Sequence, residues 1–135
     1  MYKLIFYISL FCITFANGQK IPNYRYINIC KQDGMSETIN FKKVGERKYI
    51  SIMKDFEKKL SKNNYSDYYR LYSPHFNKQI DPTYLYVYLI PKKLIQQDIK
   101  KEIVLFPTKE ALEIIYDLST KKISQPKPSI ILPDL

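Results

Sequence analysis

Residues 83–90 read Thr-Tyr-Leu-Tyr-Val-Tyr-Leu-Ile, and this stretch decides the fold class. Tyrosine and aliphatic side chains alternate along it in strict period two, which is the pattern of a β-strand with two unlike faces. Pro91 follows and lacks a backbone N–H donor, so the strand should end there. We therefore expect one face of this strand to carry Tyr84, Tyr86 and Tyr88.

Further strands are predicted on both sides of this stretch. Residues 24–31 alternate loosely, residues 38–44 form a second extended run, and Asp33-Gly34 between them is a turn signal. This arrangement predicts a β-hairpin. Residues 103–106 form a short apolar run that is typical of a buried strand.

Four segments space their apolar side chains as a helix does. In residues 46–62 these side chains recur at i, i+3, i+4, i+7 and i+11, the pattern of an amphipathic helix. Residues 65–72 place four tyrosines at helical spacing, and residues 92–101 favour a short helix. Residues 108–118 begin at Thr108, a good N-cap residue, so a helix is predicted there as well.

The predicted order of elements is β-β-α-α-β-(α)-β-α, followed by a tail. It indicates an α+β fold, with a small, mainly antiparallel sheet and two to four helices packed on one face. Residues 124–135 contain three prolines, which exclude a helix. We expect an extended, proline-rich C-terminal tail that can dock as an edge strand.

Residues 1–18 are typical of a cleavable export signal. Lys3 gives a positive start, residues 4–15 form an uncharged apolar stretch, and small residues precede a predicted cut after Gly18. The apolar stretch is too short for a transmembrane helix, which needs about twenty residues. We expect residues 19–123 to form a single domain, located in the periplasm, in the cell envelope or outside the cell.

The charge of the chain favours anionic partners. Lysine and arginine number 22 against 13 aspartates and glutamates, which gives a formal charge of +9. The basic residues are interspersed with acids, unlike the dense basic stripe of a nucleic-acid binder. An anionic envelope polymer is therefore an expected class of partner, and the sequence carries no specific signal for nucleic acid.

The residues that could perform catalysis are few. Cys30 is the one cysteine left after the predicted cleavage, and His75 is the one histidine. They could serve a thiol enzyme only if they meet with an orienting group, so we favour a buried cysteine and a loop histidine. Glu110, Glu113 and Asp117 would share a solvated face of the last predicted helix. Structural zinc needs four cysteine or histidine ligands, so we expect no metal and no cofactor.

Tyrosine is the most suggestive residue type, with thirteen in the chain. Aromatic rings stack on sugars and bases, and basic side chains meet phosphates or acidic glycans, although tyrosines at these spacings also build cores. The predicted binding surface consists of Tyr84, Tyr86, Tyr88, Lys92, Lys93, Arg47, Lys54, Lys58 and Lys62.

The tail supplies a second hypothesis for binding. Ile130, Ile131 and Leu132 could add a strand to the sheet of a protein partner, where backbone pairing would provide the affinity. We therefore expect an exported binding or interaction domain rather than an enzyme. The alternatives are a small envelope hydrolase or thiol enzyme that uses Cys30 and His75, and a basic module that binds an anionic polymer.

Overall fold

The computed structural model describes residues 19–20, 23–61, 65–97, 103–105 and 108–131. Within these ranges, seven strands form one sheet, three short strands form a second sheet, and two helices are present. The predicted α+β fold with two to four helices is therefore wrong, because most of the expected helices are strands.

The strands, in chain order, are β1 Gln19–Lys20, β2 Tyr24–Ile29, β3 Gln32–Glu37, β4 Tyr68–His75, β5 Tyr84–Pro91, β6 Ile95–Gln97, β7 Ile103–Leu105, β8 Thr108–Asp117, β9 Lys122–Ile123 and β10 Lys127–Ile131. The helices are α1 Thr38–Val44 and α2 Glu46–Leu60, and a 3₁₀ turn covers Lys92–Leu94.

The main sheet has the order β10-β8-β5-β4-β3-β2, and β9 also pairs with β8. All of its pairs are antiparallel except β3 with β4. A parallel pair needs a crossover connection, and α1 and α2 supply it. The two helices cover one side of the sheet, which we call the helix face, and we call the other side the open face.

The principal core lies between the helices and the helix face. The apolar side of α2 contributes Tyr49, Met53, Phe56 and Leu60, all almost fully buried. The sheet contributes the following buried side chains: Ile27, Ile29, Tyr72, Leu85, Val87, Leu89, Ile114 and Tyr116. This packing fixes which side of each strand remains for the open face.

A smaller apolar cluster occupies one end of the open face. Met35, Tyr69, Ile90 and Ala111 are buried there, and residues 94–95 pack against them. The remainder of the open face, toward the Tyr84 end of β5, is less deeply buried.

β4 and β8 are strands where the sequence predicted helices, and each of them buries side chains on both faces. In β8, Ala111 belongs to the open-face cluster, whereas Ile114 and Tyr116 belong to the principal core. In β4, Tyr69 and Tyr72 likewise point into different clusters. A strand that is apolar on both faces cannot be distinguished from a buried helix by periodicity alone.

Other boundaries also differ from the prediction. Residues 38–44 form α1 instead of a strand, and the predicted helix over residues 92–101 is a 3₁₀ turn followed by β6, with residues 98–101 outside the described part. Residues 46–60 form a helix and β5 is a strand, as predicted. Residues 103–105 form the strand β7, as predicted for this stretch.

The hairpin turn lies at Cys30-Lys31 rather than at Asp33-Gly34. Cys30 and Lys31 have φ values of 51° and 67°, and Ile29 pairs with Gln32, so this is a two-residue turn of type I′. It forms without the glycine that such turns usually contain.

Gly34 lies within β3, opposite Arg70 of β4. A Cβ atom on Gly34 would lie 2.8 Å from Cε2 of Tyr72 and 3.0 Å from Cβ of Arg70. Glycine is therefore needed here for the close approach of two strands and not for a turn.

Candidate functional site

Three tyrosines of β5 form the centre of the open face. Tyr84, Tyr86 and Tyr88 are half-buried, whereas the aliphatic residues between them are fully buried in the principal core. The alternation expected for residues 83–90 is therefore present. The three rings share one side of the sheet and remain partly accessible.

His75 extends this aromatic surface. It is exposed at the end of β4, directly opposite Tyr84, and not in the loop that we predicted. Its ring is stacked with Tyr86, with centroids 5.5 Å apart and an angle of 13° between the planes. The Tyr84 ring is tilted by 42° at 6.5 Å from the same imidazole. The result is a continuous group of three rings.

Carboxylates accompany the tyrosines of the open face. The hydroxyl of Tyr26 donates to Oδ1 of Asp33 at 2.6 Å, and Nδ2 of Asn28 donates to the same oxygen at 2.9 Å. The bond to Asp33 is the main reason that the pKa of Tyr26 is raised. Tyr88 lies opposite Glu113 of β8; burial, together with Glu113, raises the pKa of Tyr88.

A third pair of the same kind lies at the edge strand, where Tyr24 donates to Oε1 of Glu37 at 3.5 Å. Each carboxylate has two oxygens and several lone pairs, so it can accept further hydrogen bonds while it holds its tyrosine. The open face thus combines flat apolar rings with hydrogen-bond acceptors. We call this combination the tyrosine face, defined by Tyr24, Tyr26, His75, Tyr84, Tyr86, Tyr88, Asp33 and Glu113.

The basic residues of the predicted surface do not all join these tyrosines. Lys92 lies 3.8 Å from Asp33, and Nζ of Lys93 lies 3.2 Å from Oε2 of Glu110, so both ammonium groups face carboxylates at one end of the sheet.

The helix residues of that surface lie on the other side of the sheet. Arg47, Lys54 and Lys58 are exposed on α2, which covers the helix face. Lys62 lies outside the described residues. The predicted surface is therefore divided between two sides of the molecule.

Cys30 and His75 are not brought together. Cys30 is exposed in the hairpin turn, although we predicted burial, and it lines a cavity of about 290 Å³ together with Arg70. His75 lies five residues beyond Arg70 along β4, which corresponds to roughly 16 Å of strand. This arrangement provides no thiol–imidazole contact.

The carboxylates of β8 are also separated. Glu113 faces Tyr88, whereas Glu110 faces Lys93. Asp117 accepts bonds from the backbone and hydroxyl groups of the following turn, and these bonds lower its pKa.

The tail is part of the main sheet. Ser129 pairs with Ala111 and Ile131 with Thr108, so β10 is an edge strand of this protein. Ile130 and Ile131 belong to that strand, and Leu132 lies outside the described residues. The strand edge that pairs with β8 is therefore already occupied.

A buried polar network near the Cys30 cavity was not predicted from the sequence. Nε of Arg70 donates to Oε1 of Glu57 at 2.9 Å, and both side chains are only 3% exposed. The hydroxyl of Tyr72 donates to the same oxygen at 2.6 Å. Arg70 also donates to two backbone carbonyls, at residues 65 and 68. Arg70 therefore spends these N–H groups on bonds within the fold. No periodic pattern in the sequence predicts such bonds.

No protein-family model matches the chain, and neither the curated proteins nor the solved structures contain a match to it. Neither described helix has the length and apolar character that crossing a membrane requires. In the described ranges, no three His, Cys, Asp or Glu side chains cluster in a way that could hold a metal ion.

Proposed function

We propose that this protein is an exported, non-catalytic binding domain whose tyrosine face holds a neutral carbohydrate. The observation that carries the proposal is the row of half-buried rings, Tyr84, Tyr86 and Tyr88, with His75 stacked on it. Flat rings suit the apolar side of a sugar ring, as they suit other flat ligand surfaces.

The polar groups of the tyrosine face favour a neutral ligand over an anionic one. Asp33 and Glu113 are acceptors, and they suit the hydroxyl donors of a sugar. They would repel a phosphate or a carboxylate. Lys92 and Lys93 already face acidic partners, and Lys127 lies opposite Glu113 across the β10–β8 pair. The anionic-polymer alternative therefore gains no support on this side of the molecule.

The test is a binding titration with soluble neutral oligosaccharides built from glucose, N-acetylglucosamine or mannose, followed by NMR. We expect saturable binding that shifts the signals of β5 and changes little with added salt. Tyr86→Leu keeps an apolar strand residue but removes the flat ring. It should weaken binding about tenfold, which corresponds to about 1.4 kcal/mol.

Tyr65→Leu is the matched control, because Tyr65 is a partly buried tyrosine that packs against the principal core. It should leave carbohydrate affinity unchanged. The proposal is wrong if no oligosaccharide of the panel binds, or if Tyr86→Leu and Tyr65→Leu bind equally well. Capture of a protein through Tyr86, without carbohydrate binding, would assign the face to a protein partner instead.

A further inference from the structure

A cleft rich in lysine lies at the edge of the helix face, away from the tyrosine face. Its volume is about 710 Å³, and its lining residues are Asp55, Lys58, Lys59, Tyr116, Lys121, Lys122 and Ile123. Two of the four lysines come from the last turn of α2, one comes from the turn between β8 and β9, and one is the first residue of β9. All four are exposed, and none forms an ion pair within the described part of the chain.

Tyr116 provides an independent observation in the same cleft. Its side chain is fully buried, and its hydroxyl has no hydrogen-bond partner, which is true of no other buried side-chain nitrogen or oxygen among the described residues. Burial raises the pKa of Tyr116, and the charge of Asp55 on the cleft wall raises it further. Tyr116 and Asp55 both line the cleft, which places the Tyr116 side chain at the cleft wall. A buried hydroxyl without a partner costs free energy, so its presence points to a ligand that completes the bond.

We propose that this lysine cleft binds a phosphate or sulfate group, with the Tyr116 hydroxyl as hydrogen-bond donor and the lysines as counter-charges. Lysine acts as a mobile point charge toward such anions, and its flexible stem lets the ammonium group move as the ligand enters. Four lysines outweigh the single carboxylate of Asp55. The exposed lysines favour a negatively charged ligand, and the Tyr116 hydroxyl favours a ligand with an acceptor oxygen.

The position of the cleft separates this proposal from carbohydrate binding. Tyr116 and the neighbouring tyrosines of β5 point to opposite faces of the sheet, since Tyr116 pairs with the core residue Leu85. Binding at one site can therefore fail without loss of the other.

The test uses the full chain and inorganic pyrophosphate, measured by calorimetry and located by NMR. We expect saturable binding that shifts the amides of residues 116 and 121–122 and weakens steeply with added salt. The double variant Lys121→Gln/Lys122→Gln should reduce the affinity about tenfold. Lys42→Gln/Lys43→Gln removes the same charge from exposed positions on α1 and should have little effect.

Tyr116→Phe separates a ligand-binding hydroxyl from a merely structural one. It removes one oxygen that has no partner, so the melting temperature of the free protein should stay the same or rise by a few degrees. The affinity for pyrophosphate should nevertheless fall about fivefold. A stable variant that binds more weakly would support the proposal.

Three results would overturn it: no saturable binding of pyrophosphate, an equal loss in the two double-lysine variants, or unchanged affinity in Tyr116→Phe. A second arm uses vesicles that contain phosphatidylglycerol. Vesicle binding that pyrophosphate displaces would identify a lipid headgroup as the source of the phosphate, and pyrophosphate binding without vesicle binding would identify a soluble one.

Discussion

Tyrosine serves two different purposes on the two faces of the main sheet. On the helix face, Tyr49 and Tyr72 are fully buried, and their hydroxyls are bonded to polar side chains inside the core. On the open face, Tyr69 is buried and donates to the carbonyl of Gly34, whereas Tyr84 and Tyr86 are half-buried, and their rings reach the surface. A buried hydroxyl needs a permanent partner, whereas a half-buried ring can exchange solvent for a ligand.

Tyr116 departs from this division, because it is buried on the helix face and yet its hydroxyl has no hydrogen-bond partner in the part of the chain that the structure describes. The comparison teaches that burial alone does not make a tyrosine structural. What distinguishes a structural tyrosine from a binding one is whether the protein itself satisfies the hydroxyl.

The largest expected difference between the two classes appears at high pH. Burial raises the pKa of Tyr49 and Tyr72, so the folded protein keeps these protons above pH 10, where unfolded chains release them. Their contribution to stability is therefore complete below about pH 10 and is lost as the pH rises toward the folded pKa. The loss should approach about 1.4 kcal/mol per pH unit for each of these tyrosines that keeps its proton in the folded state.

Urea denaturation between pH 9 and pH 12 measures this loss, and phenolate absorbance reports the ionisation. Tyr49→Phe should reduce the pH slope of the free energy of unfolding by the contribution of one tyrosine. If the slope does not change in this variant, the core tyrosines are not what limits stability in alkali.

A second comparison sets a core carboxylate against one on the open face. Glu57→Gln leaves the Arg70 charge buried without its counter-charge, so the free energy of unfolding should fall by about 3 to 5 kcal/mol. Glu113→Gln removes a carboxylate beside the half-buried Tyr88 and should cost less than about 1 kcal/mol. Urea denaturation of both variants at pH 7 tests this, and equal losses would contradict the distinction between the faces.

A smaller loss than that of Glu57→Gln is expected at the edge strand that borders both faces. Deleting residues 129–135 removes the pairing of Ser129 and Ile131 with β8. The lost ladder bonds should cost about 2 kcal/mol, at about 1 kcal/mol each. Thermal unfolding of the truncated protein measures the loss. An unchanged melting temperature, with loss of a protein partner, would instead support the tail as a docking segment.

The sequence predicted well those elements that bury only one side. The apolar stripe of α2 and the strict alternation of β5 each have one buried and one more exposed side, so their periods are visible. In β4 and β8 each face carries at least one buried apolar side chain, so no single period is visible. In residues 38–44, packing of Phe41 and Val44 against the core overrides the weak helix propensity of Thr38 and Ile39.

The candidate sites were likewise predictable only where a local pattern in the sequence places the residues together. Tyr84, Tyr86 and Tyr88 could be predicted as one row, because strand alternation alone places them together. The placement of Glu113 beside Tyr88 depends on the register between two strands, which no local pattern reports. The lysine cleft joins residues 58–59 to residues 121–122, and only the folded chain brings these pairs together.

The close approach at Gly34 has a consequence for how the protein folds. Across the parallel pair, only Gly34–Arg70 and Met35–Leu71 are in register, so backbone pairing joins the first half of the sheet to the second over a very short length. A second connection is α2, which follows α1 in the chain and packs Phe56 against Tyr72 of β4. Each half can form its antiparallel pairs before the other, and we expect the docking of α2 across this junction to be the rate-limiting step.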